Sequence, residues 1–138
     1  MAMAIETGYV VLPAHVEQLC ALFAGEWWSV GRARADVERM LRHCEVVTLS
    51  DGDRLVGFAR AVTDYAYKAL VLDVIVAPSH RGTGLGRRLM DAIMQHPELS
   101  RVRHFELYCK PEMKAFYEDW GYTTDVGDIV LMRYSRSQ

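Results

Sequence analysis

The residues with the most chemical potential lie between Val74 and Met90, where the sequence reads V-I-V-A-P-S-H-R-G-T-G-L-G-R-R-L-M. An apolar run stops at Pro78, passes through glycines at alternate positions and re-emerges with helical periodicity. Gly82, Gly84 and Gly86 let the backbone turn sharply and approach a ligand, so that successive N–H groups can point into one concavity. The helix that follows contributes unpaired donors and the positive end of its dipole. Arg81, Arg87 and Arg88 add positive charge to the same stretch. This is the chemistry of phosphate or diphosphate binding. A plain glycine-rich turn is the competing reading, and three glycines with three arginines behind an apolar strand weigh against it. Spacing then removes two ligand classes. A dinucleotide loop, G-x-G-x-x-G, would need glycine where Arg87 or Leu89 stands, and no Gly-Lys pair exists for a Walker loop.

The segment Arg81-Gly82-Thr83-Gly84-Leu85-Gly86, with Val76-Ala77-Pro78 before it, resembles the acyl-CoA-binding motif [QR]-x-x-G-x-[GA] of the GNAT superfamily of N-acetyltransferases. A second block agrees. Phe105 to Cys109 reads as a strand, and Ala115-Phe116-Tyr117-Glu118-Asp119-Trp120-Gly121-Tyr122 is similar to the family's A-x-x-F-Y-E-x-x-G-F ending. The resemblance runs from about Leu55 to Tyr122 and is faint before that. It implies acetyl-CoA as cosubstrate, with the diphosphate on residues 81–87 and the pantetheine arm along the preceding strand.

Acyl transfer from a thioester to an amine needs a deprotonated amine, donors for the oxyanion and an acid for the departing thiolate. For the acid, the resemblance points to Tyr117; a phenol of pKa about 10 stays protonated at neutral pH. A helix tyrosine packed beside Met113, Phe116 and Trp120 is the alternative. For the oxyanion, the resemblance implies backbone N–H groups near Ile75 and Val76. For the amine, Asp73 stands out as the only charge between Ala69 and Pro78, and many family members carry an acid there. Taking a proton from an ammonium of pKa about 10.4 with an aspartate of about 3.9 is uphill by roughly 9 kcal/mol. Asp73 therefore binds the cationic amine, acts through water with a raised pKa, or is a buried carboxylate tied to a backbone N–H or to an arginine such as Arg60. Asp64 and Glu106 could share the role. Trp27 and Trp28 fall where the acceptor pocket is usually shaped, and offer an aromatic wall, a core contact or a dimer contact. Many relatives carry an asparagine after the second parallel strand. Lys110-Pro111-Glu112 stands there instead, and Lys110 could reach CoA phosphates or lie in solvent.

The elements that must position these groups follow from periodicity. A strand is expected at Tyr9 to Leu12, then a helix opened by Pro13 with Val16, Leu19, Cys20 and Phe23 on one face. A break at Gly25 to Gly31 precedes a second helix marked by Val37, Met40 and Leu41. Glu45 to Ser50 and Arg54 to Val62 form a hairpin across Asp51 to Asp53, and Tyr67 to Val76 is a strand apolar on both faces. Leu85, Leu89, Ala92 and Ile93 mark a helix ending before Pro97. A strand at Phe105 to Cys109, a helix at Glu112 to Asp119 and a last strand at Ile129 to Tyr134 complete the order, with Ser135 to Gln138 frayed. The fold class is α/β, a mixed and mostly antiparallel central sheet with helices on both faces. The resemblance adds a splayed parallel strand pair, whose gap admits pantetheine, in a single domain over residues 1–138.

Composition sets the remaining bounds. The 138 residues, 51% hydrophobic with net charge −2, suit one globular domain without the basic excess of a nucleic-acid binder. Cys20, Cys44 and Cys109 read as reduced thiols, and neither C-x-x-C nor H-x-x-x-H occurs, so no metal is expected. No leader pattern or long apolar run appears, which predicts a cytoplasmic protein off the membrane. The expected function is acetyl transfer from acetyl-CoA to a primary amine, of a small molecule in the first instance, by direct transfer in a ternary complex. A homodimer is an open partner, and a non-catalytic acyl-CoA-binding or sensor domain is the alternative.

Overall fold

A computed structural model describes residues 4–136. The chain divides into two compact units, Met1–Tyr108 and Cys109–Gln138.

The first unit is built on a five-stranded sheet in the order β1-β2-β3-β4-β5: β1 Ile5–Gly8, β2 Glu45–Asp51, β3 Arg54–Thr63, β4 Lys68–Val76 and β5 His104–Leu107. The first three pairings are antiparallel and β4–β5 is parallel. Three helices accompany it: α1 Pro13–Ala24, α2 Arg34–Leu41 and α3 Leu85–Met94. Pro13 opens α1, where its missing N–H costs nothing.

Strand alternation sorts the core into two layers. Val46, Leu55, Phe58 and Ile75 join Leu19 and Phe23 of α1 and Val37 of α2 in one buried cluster. The alternate residues Val47, Leu49, Ala59 and Ala61 are fully buried, and α3 packs on β2 and β3 with Leu89, Met90 and Ile93 inward. Helices thus cover both faces of the mixed sheet.

Three expectations need correction. The first strand is Ile5–Gly8 and not residues 9–12, because pairing with β2 runs only from Ile5↔Asp51 to Gly8↔Thr48. Tyr9 to Leu12 carry the chain from the sheet into α1. Residues 129–134 form no strand; they enter no pairing among the described residues, and a strand exists only by pairing. The strand expected to be buried on both faces keeps only Ala69, Val71 and Ile75 buried, with Leu70 and Leu72 to Val74 half-covered. Of the frayed end expected at residues 135–138, the last two lie outside the described residues.

The second unit opens with a short 3-10 turn, Pro111–Met113, which runs into α4 Lys114–Glu118. Its aromatic rings form their own cluster: Phe116 lies 5.0 Å from both Tyr117 and Trp120, and Tyr117 6.2 Å from Tyr122. Gly121, at φ 92°, takes the chain out of the helical turn with its N–H on the Glu118 carbonyl.

Candidate active site

The loop between β4 and α3 has the conformation its glycines foretold. Gly82 and Gly84 adopt φ of 77° and 84°, and a Cβ placed on either would meet no atom within 4 Å. Side chains are disfavoured there by the backbone alone, and the space beside the loop is open. Gly84 caps α3, and Arg88 N–H is bonded to its carbonyl. The N–H groups of Leu85 and Gly86 open the helix and have no acceptor within it. These donors fit a diphosphate.

The loop is fastened from three sides. His80, 8% exposed, meets Asp51 at the end of β2 through Nε2 at 3.1 Å and the Ser79 hydroxyl through Nδ1 at 2.7 Å. Thr83 donates its hydroxyl to the His80 carbonyl, closing the turn. Arg81 donates to the Val76 carbonyl at 3.2 Å and forms an ion pair with Glu26. Arg88 reaches β1, donating to the Ile5 carbonyl and the Thr7 hydroxyl. Arg81 and Arg88 therefore bind this chain's own groups as well as adding positive charge, and Arg87 lies in the first turn of α3.

The strand leading into the loop leaves its partner. The β4–β5 pairing ends at Val71↔Leu107, whereas β4 runs on to Val76. Leu72 to Val76, including Ile75 and Val76, thus have no strand on that side among the described residues. Their other side stays joined to β3 through Phe58↔Ile75 and Gly57↔Val76. This is the splayed parallel pair, with the strand edge beyond Val71 left for an extended, amide-bearing ligand, although the Val76 carbonyl already accepts from Arg81.

A bulge sits at the point of departure. Between Phe58↔Ile75 and Arg60↔Leu72, β4 uses one residue more than β3, and Asp73 takes φ 55°, a left-handed conformation that aspartate tolerates better than most residues. Its carboxylate, 5% exposed, accepts two hydrogen bonds from Arg32, at 2.8 and 3.1 Å, and one from Arg60 Nε at 2.6 Å. Burial would push this carboxyl up, but the two guanidiniums outweigh it and hold it below the usual carboxylate range. Of the roles open to Asp73, its surroundings support the arginine-tied carboxylate; a group so held is a poor proton acceptor. Arg32 lies 4.6 Å from the Phe23 ring and 5.8 Å from that of Trp28, so the network reaches the α1–α2 connection. Trp28 is 37% exposed and Trp27 72%. Arg32 is the participant that sequence reasoning missed. It is 41 residues from Asp73, and no local pattern announces the pair.

Asp64 is engaged by its own turn, accepting from the N–H groups of Ala66, Tyr67 and Lys68, and Glu106 pairs with Lys68 at 3.2 Å. Tyr117, in the second unit, is half-buried. Burial, with a smaller contribution from Cys109, pushes its phenol up, so it holds its proton beyond the ordinary range. The same cause pushes neighbouring Tyr122 up to about 12. Lys110 directly precedes the 3-10 turn that leads into α4.

A family model described as an acetyltransferase (GNAT) domain matches residues 42–124. The chain belongs to the GNAT acetyltransferases. That match takes in the bulged strand, the glycine loop and the Tyr117 helix together. A GNAT-family putative acetyltransferase from Xanthomonas campestris pv. campestris superposes with a TM-score of 0.82 at 30% identity, over 95% of this chain and 93% of that one. Among curated relatives, "Serotonin N-acetyltransferase 2, chloroplastic" of Oryza sativa subsp. japonica is 38% identical over 117 residues, 79% of this chain and 58% of the relative. "GCN5-related N-acetyltransferase 1, chloroplastic" of Arabidopsis thaliana is 30% identical over 130 residues, 90% of this chain and 64% of the relative. This GNAT chain thus spans about three fifths of the length of these curated relatives.

Proposed function

We propose that the chain moves the acetyl group of acetyl-CoA to the primary amine of a small-molecule acceptor, by direct attack in a ternary complex. The observation that carries this is the continuity of the glycine loop with β4. The loop, with open space beside Gly82 and Gly84, follows five strand residues that have no strand on one side among the described residues. Arg81, Gly82, Thr83, Gly84, Leu85, Gly86 and Arg87 would hold the diphosphate, chiefly through main-chain N–H groups. The open edge of β4 offers its amide groups to the pantetheine arm, and a backbone N–H near Ile75 or Val76 polarises the thioester carbonyl.

The neutral amine would attack the carbonyl carbon, the C–S bond would break as the hydroxyl proton of Tyr117, the acid that the family resemblance implies, passes to the departing sulfur, and the proton that the nitrogen sheds on becoming an amide would return through water to the Tyr117 phenolate. The raised pKa of Tyr117 supports this role, because the group remains an acid across neutral and mildly alkaline pH. Asp73 acts here as a clamp on the bulge through Arg32 and Arg60, and the amine loses its proton to water. Trp28 with Trp27 flanks the acceptor. A related protein is named a serotonin N-acetyltransferase, which favours amines carried on an aromatic ring. A cytoplasmic location, an acceptor other than nucleic acid and independence of metal belong to the same reading.

Thiol release from acetyl-CoA, followed with a panel of arylalkylamines, polyamines and amino acids, tests the proposal. Turnover with aromatic amines above the others is expected. Calorimetry on acetyl-CoA makes the failures distinct: binding without turnover on any amine would leave an acyl-CoA-binding module, and no binding would remove the site itself.

A further inference from the structure

The connection between α1 and α2 brings a surplus of positive charge to the bulge of β4. Arg32 and Arg60 both donate to the carboxylate of Asp73, so two guanidinium groups share one anion. Among the described residues no other acid pairs with either arginine. Glu26, on the same connection, pairs with Arg81, and Glu45 accepts from the Tyr65 hydroxyl. The Cys44 thiol lies near Arg60, but burial pushes its pKa up and keeps it neutral. One unit of positive charge is left over.

Arg32 is where that charge can be met. Its side chain is 29% exposed, against 14% for Arg60. It bonds Asp73 through one N–H of each terminal nitrogen, which leaves further donors on the same planar fork. The rings of Phe23 and Trp28, 4.6 and 5.8 Å from its guanidinium carbon, hold the group in place. A guanidinium fixed by one carboxylate, flanked by aromatic rings and still reached by solvent is a receptor for a second carboxylate. A single negative charge also matches the surplus.

We propose that the acceptor carries a carboxylate as well as its primary amine, that Arg32 binds this carboxylate, and that aromatic amino acids are therefore the acceptor class. The inference rests on the acetyl-transfer reading above and makes Arg32 a specificity-determining residue of that reaction. Its position suits the role. Asp73, which holds Arg32, stands two residues before Ile75, near whose backbone the thioester carbonyl would lie, a rise of roughly 7 Å along a strand. That is the scale of one small amino acid. Trp28 would lie along the acceptor's ring while Arg32 takes its carboxylate. All the groups invoked, from Phe23 to Ile75, belong to the first unit.

The test measures thiol release from acetyl-CoA by the full chain on matched acceptors, tryptophan against tryptamine and phenylalanine against phenethylamine. The expected kcat/KM is at least about tenfold higher for the acid of each pair. A carboxylate also alters the basicity of the amine beside it, so the products give the cleaner comparison: N-acetyltryptophan and N-acetyltryptamine bear no ionisable amine. By calorimetry with CoA present, N-acetyltryptophan is expected to bind at least about tenfold more tightly. Arg32→Gln should abolish both preferences, and Arg32→Lys, which keeps the charge, should restore part of them. Loss of the Asp73 clamp alone would weaken both members of a pair alike. Circular dichroism confirms that the variants are folded, and the measurements on the unaltered chain stand even if they are not. Tryptamine turned over as well as tryptophan, equal binding of the two products, or a preference that persists in folded Arg32→Gln would each overturn the proposal and leave acetyl transfer intact. Product discrimination that Arg32→Gln removes, without turnover of any amine, would support the carboxylate site and sink the acetyl-transfer reading instead.

Discussion

Replacing Asp73 with asparagine separates a clamp from a proton acceptor. Asparagine keeps the side-chain shape and tolerates the left-handed φ of 55°, so the backbone of the bulge is not itself at issue. What is lost is the charge that receives three hydrogen bonds, from Arg32 at 2.8 and 3.1 Å and from Arg60 at 2.6 Å. A hydrogen bond to a charged group contributes about 1.5–3 kcal/mol. Breaking a buried ion pair from one side costs about 3–5 kcal/mol, because the partner's charge is left uncompensated. Arg60, 14% exposed, takes most of that cost; Arg32, 29% exposed, regains some water, and asparagine still accepts from one of them. The expected loss is about 2–4 kcal/mol of unfolding free energy at pH 7, read by urea titration. The folded-state pKa of Asp73 lies below its unfolded value. Its stabilisation is therefore complete above the unfolded value of about 3.9 and disappears as pH falls through the folded one. The gap between the two proteins should close on acidification below pH 4. In the same reasoning, turnover of the folded variant keeps the shape of its pH profile. A loss under about 1 kcal/mol, or unchanged stability with turnover reduced the 10²–10⁴-fold typical of a missing base, would refute the clamp.

Gly84→Ala forces a side chain into φ 84°, at a cost of about 1–2 kcal/mol, and shifts the donors at the start of α3. Calorimetry should show acetyl-CoA binding weakened about tenfold or more, with the fold intact by circular dichroism. Tyr117→Phe should lower kcat about a hundredfold or more and leave acetyl-CoA affinity within about twofold. Because burial raises the Tyr117 pKa, any alkaline fall in activity belonging to this group must lie above pH 10. Trp28→Ala removes the ring beside Arg32 and is expected to raise KM for an aromatic amine about tenfold without changing KM for acetyl-CoA; equal effects on both substrates would take Trp28 out of the acceptor site.

The sequence by itself determined the glycine loop, because its conformation is a local matter. Alternate glycines permit the positive φ at Gly82 and Gly84, Pro78 ends the strand, and the amphipathic run from Leu85 makes the helix, all within about twenty residues. The same locality made most elements legible, from Pro13 at the start of α1 to the hairpin across Asp51–Asp53. Tertiary structure decided what depends on partners distant in the chain. Asp73 showed itself in sequence as an isolated charge, but its meaning rests on Arg32, 41 residues away, and on a register slip between β3 and β4 that no pattern encodes. The strand expected at residues 9–12 moved to Ile5–Gly8 because β2 chose the partner, and the apolar run at 129–134 enters no strand pairing among the described residues. Helices and glycine turns close their hydrogen bonds within a few residues, whereas a strand or a buried charge is satisfied only by whatever the completed fold places beside it.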